Sequence, residues 1–297
     1  MKQKLFVITG PTAIGKSSAA VNLALKTGSS VISADSMQIY RGLNIGTGKI
    51  TEREKHGIKH YMIDVVNPDE DYSVSQYVKD AENIINECSV TPVIAGGTGL
   101  YITSLINGSD FGGIGRDENI REKWKQIATQ KGKEYVHNYL TQIDPESAAV
   151  ISVNDIKRTI RAIEIYEISG IPKSRLVSSQ STKYDAKILV LFESDREKLY
   201  KNINDRVDKM FDAGLIDEVK GLLKYQNCQS MQAIGYKETA EYLEGRITLS
   251  DAKELIKQNS RNYAKRQITY FRGMKAANKI FVENKDNNSI LQHFINF

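Results

Sequence analysis

The residues with the clearest chemical signature lie near the start of the chain, in the segment Gly10–Ser17, which reads GPTAIGKS. Its glycines, lysine and serine fit the pattern G-x-x-x-x-G-K-[ST], and the segment follows an apolar run and precedes a helical pattern. Glycine lets backbone N–H groups turn toward an anion, and the N-terminus of the next helix adds a partial positive charge. Lys16 can neutralise phosphate oxygens, and the Ser17 hydroxyl can bind Mg²⁺. The segment is therefore predicted to be a phosphate-binding loop, which in most chains that carry it binds ATP or GTP.

The carboxylates that follow the apolar runs do not fit a nucleotide hydrolase. Such an enzyme has a strand that ends in an aspartate beside the metal, whereas the run PVIAGG is followed by Thr98. Asp35 follows the run in SVISADS, and Asp64 follows the run in HYMIDVV. Because the carboxyl ends of parallel strands open into the ligand crevice, Asp35 could reach a reacting group. It could equally cap the turn before Ser36.

The elements that must position these residues alternate between strand and helix over the first hundred residues. Apolar runs in LFVIT, SVIS, KHYMIDVV and PVIAGG are separated by segments with helical spacing. This alternation predicts an α/β fold with a doubly wound parallel sheet that is covered on both faces. From residue 117 to about residue 169 the spacing is only helical, and KILVLFE then resumes the strand pattern. We interpret residues 113–185 as an all-helical insertion domain between two segments of one core, residues 1–112 and 186–297.

The distribution of charge indicates a partner. The chain has 297 residues and a net charge of +5, with 40% hydrophobic and 26% charged residues, as in globular proteins. Residues 251–275 contain seven basic and two acidic residues, a surplus equal to the net charge of the whole chain. This segment, which we call the basic patch, predicts either a polyanionic partner or an ordinary solvated helix face.

Two further observations indicate where the chain works. No apolar run approaches the roughly 20 residues that a membrane span requires. The two cysteines, Cys88 and Cys228, are far apart in the sequence and are expected to be reduced thiols. We therefore expect a cytoplasmic protein that does not cross a membrane, and we take it to be a monomer.

Several motifs occur in a fixed order along most of the chain. They are GPTAIGKS, ADSMQIYRGLNIGTGK, HYMIDVVNPDEDYSVSQY, GGTGLYI, NDIKRTIRAIEIYEISG, DRVDKMFDAGLIDEV, QAIGYKE and YAKRQITYFR. Together, from Leu5 to Arg272, they resemble the bacterial tRNA dimethylallyltransferases, also called tRNA isopentenyltransferases. The resemblance implies a P-loop kinase-like core with a helical insertion. It also implies transfer of a dimethylallyl group from dimethylallyl diphosphate to N6 of the adenosine 3′ to the anticodon, in tRNAs that read codons starting with U.

The resemblance also assigns roles to particular residues. Mg²⁺ at Ser17, together with Lys16 and Arg206, would stabilise the charge on the leaving diphosphate. Asp35 would take a proton from the attacking amine, and Thr98 would contact the reacting region or cap the next helix. The implied diphosphate ligands are Gly10, Pro11, Thr12, Ala13, Ile14, Gly15, Lys16 and Ser17. The implied tRNA contacts are Asp35, Ser36, Met37, Gln38, Lys157, Arg158, Thr159, Ile160, Arg161, Ile234, Gly235, Tyr236, Lys237, Lys265, Arg266, Gln267 and Arg272.

The implied RNA substrate leads to two expectations about recognition. The adenosine should be flipped out of its stack into the crevice, where Gln38 could pair with its N6 and N7 edges. Tyr263, Tyr270 and Phe271 interleave the basic patch, and these rings could stack on bases or pack in the core.

The sequence departs from the family at two notable positions and leaves alternatives open. Ile14 stands where the family commonly has serine, and Tyr270 where tryptophan is usual. The alternatives are a small-molecule P-loop kinase with an arginine-rich lid, a prenyltransferase acting on free AMP, and a noncatalytic RNA-binding module. The basic patch has no role in the first two. The intact phosphate loop and Asp35 argue against the third.

Overall fold

Two compact units make up the protein in the computed structural model, which describes residues 2–108, 114–176, 182–282 and 292–294. The core unit comprises residues 1–106 and 183–297, and the helical unit comprises residues 107–182. The sequence interpretation put the boundaries of the insertion at residues 113 and 185.

A parallel sheet of six strands forms the centre of the core unit. The strands are β1 (Lys4–Thr9), β2 (Val31–Ser33), β3 (His60–Tyr61), β4 (Val93–Gly96), β5 (Asp185–Phe192) and β6 (Asn278–Phe281). They lie in the order β3-β2-β4-β1-β5-β6, and each neighbouring pair is parallel. The long strand β5 follows the helical unit in sequence and pairs with β1 along the whole of β1. The predicted parallel α/β fold is therefore confirmed.

The strand predicted in KHYMIDVV is much shorter than expected. It ends after Tyr61 because Met62 and Asp64 have left-handed backbones, with φ of 60° and 54°. The amides of Val65 and Val66 instead donate to the carbonyl of Ile39, at 2.7 and 3.1 Å. An apolar run does not reveal such a reversal, because the left-handed conformation depends on the surrounding turn.

Helices precede, follow and cover the strands. In chain order they are α1 (Lys16–Thr27), α2 (Glu52–Lys55), α3 (Val74–Glu87), α4 (Gly99–Asn107), α5 (Glu118–Lys131), α6 (Lys133–Ile143), α7 (Pro145–Val150), α8 (Ile156–Ser169), α9 (Lys173–Leu176), α10 (Arg196–Asp212), α11 (Leu215–Leu222), α12 (Tyr236–Leu243) and α13 (Leu249–Arg272). The longest, α13, contains most of the basic patch and begins with a capping box formed by Thr248 and Asp251.

Both faces of the sheet are buried, which explains why its central strands read as continuous apolar runs. Along β1, Leu5 and Val7 pack in one core cluster, together with residues of α3 and α4. Phe6 and Ile8 pack in a second cluster, together with residues of α1. Alternate side chains of a strand point to opposite faces, so a sheet covered on both sides needs apolar residues at every position.

The helical unit has a core of its own. Trp124, Val136, Leu140 and Ile163 are buried together between α5, α6 and α8. The carboxylate of Glu164 has no exposed surface, and it accepts hydrogen bonds from Arg121 and Arg161. Between residues 114 and 176, where the chain is described, the unit contains helices and no strand.

The helices of the described chain segments do not meet the requirements of a membrane span. Each one is either too short or too polar to cross a lipid bilayer.

Candidate active site

The segment Gly10–Ser17, which we call the phosphate loop, connects the end of β1 to the start of α1. Gly10 has a φ of 147°, and a Cβ atom there would lie 2.4 Å from the carbonyl oxygen of Leu191. No larger residue fits without moving the backbone of β5. Gly15 directly precedes α1 and has a left-handed backbone, and no side chain caps that helix. The first amides of α1 therefore face the loop, where an anion can accept their hydrogen bonds.

The ammonium group of Lys16 is held over the loop. Its Nζ donates to the carbonyl oxygen of Pro11 at 2.7 Å. Burial and the nearby positive charge of Arg206 lower the pKa of Lys16 to about 7, against the opposing effect of Asp35. An anion that takes the place of the carbonyl oxygen would therefore strongly stabilise the protonated form of Lys16.

Arg206 reaches the phosphate loop from α10 and is held at two points. One guanidinium nitrogen donates to Thr12 Oγ1 at 3.1 Å, and the other donates to the carbonyl oxygen of Thr47 at 2.9 Å. Burial lowers the pKa of Arg206, with Asp35 acting in the opposite direction, yet a guanidinium group stays protonated in proteins. The site therefore has a fixed positive charge beside the titratable one on Lys16.

Gly48 makes room for this guanidinium, and an alanine there should disturb it. A Cβ atom at Gly48, where φ is 58°, would lie 2.3 Å from an Arg206 nitrogen. We expect Gly48→Ala to reduce turnover by about 10- to 100-fold, because small misplacements of catalytic groups are costly. Steady-state kinetics on the purified variant measures this effect.

Gly57→Ala is the matched control for Gly48→Ala. Gly57 has a similar left-handed backbone, with φ of 79°, but a Cβ atom there meets nothing within 4 Å. Both variants should lose about 1–2 kcal/mol of stability from the left-handed conformation, and only Gly48→Ala should lose turnover. Equal losses of turnover would mean that backbone strain, and not Arg206, is responsible.

Asp35 lies in the turn after β2, and this turn is tied to the turn after β4. Asp35 Oδ1 accepts hydrogen bonds from the amides of Met37 and Gln38, at 2.9 and 3.4 Å. The amide of Thr98 donates to Ala34 O at 3.0 Å, and Thr98 Oγ1 accepts from the amide of Ser36 at 3.0 Å. The capping role considered for Asp35 is thus observed, and it uses one carboxylate oxygen. The hydroxyl of Thr98 supports the Asp35 turn instead of capping α4.

Gln267 connects two parts of the site that are far apart in sequence. Its Oε1 accepts from the amide of Thr12, and its Nε2 donates to the carbonyl oxygen of Gly97, both at 2.9 Å. Only 5% of Gln267 is exposed. The side chain therefore braces the phosphate loop against the turn after β4, which favours a positioning role over direct contact with RNA.

Two cavities meet at these residues. The cradle cavity, of about 220 Å³, lies along the phosphate loop and is also lined by Ser33, Gln38 and Gly97. The apolar cavity, of about 400 Å³, is lined largely by side chains from α10, α13 and the segment before α12. Its apolar lining includes Met37, Ile203, Val207, Met210, Ile234 and Ile256. Residues common to both cavities are Thr12, Asp35, Thr47, Arg206 and Tyr263. An anion site therefore adjoins a space for an uncharged group, with a carboxylate and a guanidinium at the junction.

Tyr263, which the sequence predicts either to stack on bases or to pack in the core, lines both cavities at this junction. Burial and the negative charge of Asp35 raise the pKa of its hydroxyl to about 12, while hydrogen bonding to Thr98 acts in the opposite direction. The hydroxyl therefore stays protonated at neutral pH. Of the other two aromatic residues in the basic patch, Phe271 is fully buried and Tyr270 packs against Gly99.

Among the described residues, the cradle cavity has one carboxylate that could bind a metal ion, that of Asp35. The Ser17 side chain and the Asp35 carboxylate both line the cradle cavity. Within the described residues, no group of three or more histidine, cysteine, aspartate or glutamate side chains could hold an ion by itself. This arrangement suits Mg²⁺, which binds through one or two protein oxygens and takes its other ligands from phosphates and water.

A model of the IPP transferase family matches residues 38–274. The chain belongs to this family. The tRNA dimethylallyltransferases of Bacillus anthracis and of one Bacillus cereus strain are each 45% identical to it over 278 residues. The alignments cover 91% of this chain and 88% and 87% of the two relatives.

Solved structures of the IPP transferase family and its relatives agree in fold. The full-length tRNA isopentenylpyrophosphate transferase from Bacillus halodurans is 40% identical, with a TM-score of 0.74, and the match covers 100% of this chain and 95% of that one. A eukaryotic dimethylallyltransferase acting on tRNA is 29% identical, with a TM-score of 0.82, over 95% of this chain and 74% of that one.

In the core unit, the tRNA contacts implied by the family resemblance occupy different environments. Ser36, Met37, Ile234 and Arg266 line the apolar cavity, whereas Gln38 lines the cradle cavity. Lys237, Lys265 and Arg272 are exposed. The predictions for Gly235 and Tyr236 are corrected. Both residues are buried, and Tyr236 has no exposed surface, so its side chain is not available to RNA.

In the helical unit, the implied tRNA contacts are consecutive residues of α8 and therefore face in different directions. Lys157 and Arg158 are exposed. Thr159 and Ile160 are 0% and 5% exposed, so the predictions for these two side chains are corrected. Arg161 donates to the carbonyl oxygens of residues 114 and 115 and to Glu164, which is a structural role.

Proposed function

We propose that the protein transfers a dimethylallyl group from dimethylallyl diphosphate to N6 of the adenosine at position 37, 3′ to the anticodon, in tRNAs that read UNN codons. The observation that carries this proposal is the junction of the cradle and apolar cavities at Asp35 and Arg206. In the reaction the bond between the allylic carbon and the diphosphate oxygen breaks, and a bond between that carbon and N6 forms. Diphosphate leaves with the electron pair, and N6 gives up a proton.

The phosphate loop and Arg206 stabilise the departing diphosphate. Amides at the start of α1 and the Lys16 ammonium bind its oxygens, and Arg206 adds a second positive charge from α10. Mg²⁺, which Ser17 would help to hold, supplies further neutralisation of the leaving group when it is bound. Donors that are already oriented toward the developing charge lower the barrier, because they need no reorganisation during the reaction.

Asp35 accepts the proton that N6 loses. An exocyclic aromatic amine is a weak nucleophile, so a base that removes its proton as it attacks assists the reaction. One carboxylate oxygen of Asp35 is occupied by the amides of Met37 and Gln38, which fixes the orientation of the group. Asp35 also lines both cavities, so that it is accessible from the side of either substrate.

The target adenine must leave the anticodon loop to reach this junction. Base flipping serves this purpose, and aromatic or apolar side chains then hold the extruded base. Tyr263 and Met37 offer such surfaces, and Gln38 offers an amide that can pair with the adenine edge. The Gln38 amide is weakly held within the protein, by contacts of 3.3 Å to Ser33 and 3.5 Å to Gly48.

The exposed cations of α13 form the RNA-binding part of the basic patch. Lys265, Arg266 and Arg272 are exposed, and none forms an ion pair with a carboxylate among the described residues. Combined replacement of these three residues by glutamine should weaken tRNA binding and reduce the slope of log K against log salt by about two units. Filter binding or fluorescence anisotropy over a range of salt concentrations measures the slope.

Lys257→Gln is the matched control on the same helix. The Lys257 ammonium lies 2.9 Å from Asp208, and its side chain is 16% exposed, so it is already neutralised. Its replacement should leave the salt slope unchanged. If the triple variant also keeps the normal slope, the basic patch is only a solvated helix face.

The reaction itself is tested by mass spectrometry of the acceptor. The protein is incubated with dimethylallyl diphosphate and Mg²⁺, and with either unmodified tRNA or AMP. We expect prenylated adenosine in tRNA and none on AMP. Product on AMP alone would identify a free-nucleotide prenyltransferase, and phosphoryl transfer from ATP to a small acceptor would identify a kinase.

We propose that the reaction takes place in the cytoplasm and that the protein acts as a monomer. Both cysteines are free thiols, which agrees with a reducing compartment. Light scattering of the purified protein, with and without tRNA, tests the oligomeric state.

A further inference from the structure

A carboxylate outside the two cavities holds the backbone of residues 44–46. Glu218, on α11, accepts hydrogen bonds from the amides of Asn44, Ile45 and Gly46 at distances from 2.9 to 3.2 Å. Its Oε1 also accepts the hydroxyl of Tyr236 at 2.6 Å. Three successive amides and a hydroxyl directed at one carboxylate form a strong anchor, because hydrogen bonds to a charged acceptor are stronger than neutral ones.

Residues 44–48, which we call the anchor loop, lie between Glu218 and Arg206. The carbonyl oxygen of Thr47 accepts one of the two guanidinium hydrogen bonds of Arg206. Gly48 lies so close to Arg206 that a Cβ atom would overlap the guanidinium. Thr47 also lines both cavities. The position of Arg206 over the phosphate loop therefore depends on the position of the anchor loop.

Tyr236 contacts both the anchor loop and Glu218. A Cβ atom at Gly46 would lie 2.4 Å from the Tyr236 ring, so the anchor loop packs directly on that ring. The Tyr236 side chain is fully buried and directs its hydroxyl at Glu218. The tyrosine of the QAIGYKE motif therefore makes its contacts inside the protein.

The hydrogen bonds of the Glu218 carboxylate are made to residues outside α11. The amides that it accepts belong to a segment more than 170 positions away in sequence, and that segment lines the apolar cavity at Gly46 and Thr47. A glutamine of the same size has only one oxygen, and its NH₂ group would face backbone N–H donors. The anchor loop therefore requires the carboxylate.

We propose that Glu218 is a positioning residue for Arg206, which acts through the anchor loop and is assisted by the Tyr236 hydroxyl. This inference rests on the proposed function, because Arg206 is taken to stabilise the departing diphosphate. It adds a specific requirement: the effect of Glu218 on the reaction passes through Arg206 and disappears when Arg206 is absent.

A double-mutant cycle tests this requirement. Glu218→Gln should lower kcat about tenfold when Arg206 is present and by less than about twofold in an Arg206→Met background, since residues that act through one another are not additive. The same cycle is measured with inorganic diphosphate by calorimetry, where Glu218→Gln should weaken binding only if Arg206 is present. Tyr236→Phe, which keeps the packing on Gly46, should show a smaller loss with the same dependence on Arg206.

Asp144→Asn is the control for general loss of a buried carboxylate. Asp144 is buried in the helical unit and accepts the backbone amides of Ser147 and Ser174. This variant should lower the melting temperature and leave kcat and diphosphate binding unchanged.

The outcomes separate this inference from the proposed function. Additive effects of Glu218→Gln and Arg206→Met, or an equal loss of kcat in Asp144→Asn, would overturn the positioning role. If Glu218→Gln does not fold, the Tyr236→Phe cycle gives the same decision. A native protein that prenylates no tRNA would overturn the proposed function, while the diphosphate-binding cycle would still decide the role of Glu218.

Discussion

Replacing Asp35 with asparagine is expected to lower dimethylallyl transfer by about 10²- to 10⁴-fold, the usual contribution of a general base. Asparagine keeps an oxygen that can accept the amides of Met37 and Gln38, so the turn should persist. What is lost is the ability to take a proton from N6. Single-turnover transfer to tRNA measures the chemical step, and a binding titration in the same buffer should show nearly normal affinity for tRNA.

Asp64→Asn is the matched control for Asp35→Asn. Asp64 follows β3 at the same edge of the sheet, but it pairs with Lys49 at 2.6 Å and lines neither cavity. Its left-handed backbone, with φ of 54°, also suits asparagine. This variant should keep its turnover within about threefold, as expected for a substitution outside the site. Near-normal transfer by Asp35→Asn would show that another group takes the proton.

The fold was predictable because its signals are local. Each central strand is covered on both faces, so the runs LFVIT and KILVLF stand out as continuous apolar segments. The one strand that was predicted at the wrong length, β3, ends at Met62, where the chain turns left-handed. That turn is set by hydrogen bonds to Ile39, in a different segment. The local periodicity of apolar residues does not reveal such contacts.

Part of the site was predictable from the sequence. The contiguous residues could be identified, whereas contacts between residues far apart in the sequence could not. The phosphate loop is contiguous, so its glycines and Lys16 identify it from the sequence. Gln267 binds the amide of Thr12 from 255 positions away, and Glu218 binds the anchor loop from more than 170 positions away. No local pattern distinguishes a glutamine or glutamate with such a partner from one on a solvated helix face.

The implied tRNA contacts illustrate another limit of motif reasoning. Residues 157–161 form one motif, but consecutive positions of a helix lie on different faces. Lys157 and Arg158 face solvent, whereas Thr159 and Ile160 pack in the core of the helical unit. A shared motif thus combines residues exposed to partners with residues that only hold the helix in place.

Lys16→Met is expected to reduce turnover by about 10²- to 10³-fold, comparable to the removal of one donor from an oxyanion site. Methionine retains much of the length of the side chain but cannot neutralise the leaving diphosphate. The loss should appear mainly in kcat, because the negative charge on the diphosphate increases as the carbon–oxygen bond breaks. Rates at saturating dimethylallyl diphosphate and tRNA measure it.

The stability of Lys16→Met distinguishes lost chemistry from misfolding. The folded protein lowers the pKa of Lys16 from its ordinary value of 10.5 to about 7, so the unfolded chain binds this proton more tightly than the folded one. Below pH 10.5, folding must therefore either release this proton or keep it on a buried amine, and both cost stability. At pH 7 the methionine variant should melt at the same temperature as the native protein or at a higher one. A stable variant with lost turnover assigns Lys16 to the reaction. A stable variant with normal turnover would contradict the assignment, because the diphosphate would then leave without help from the positive charge of Lys16.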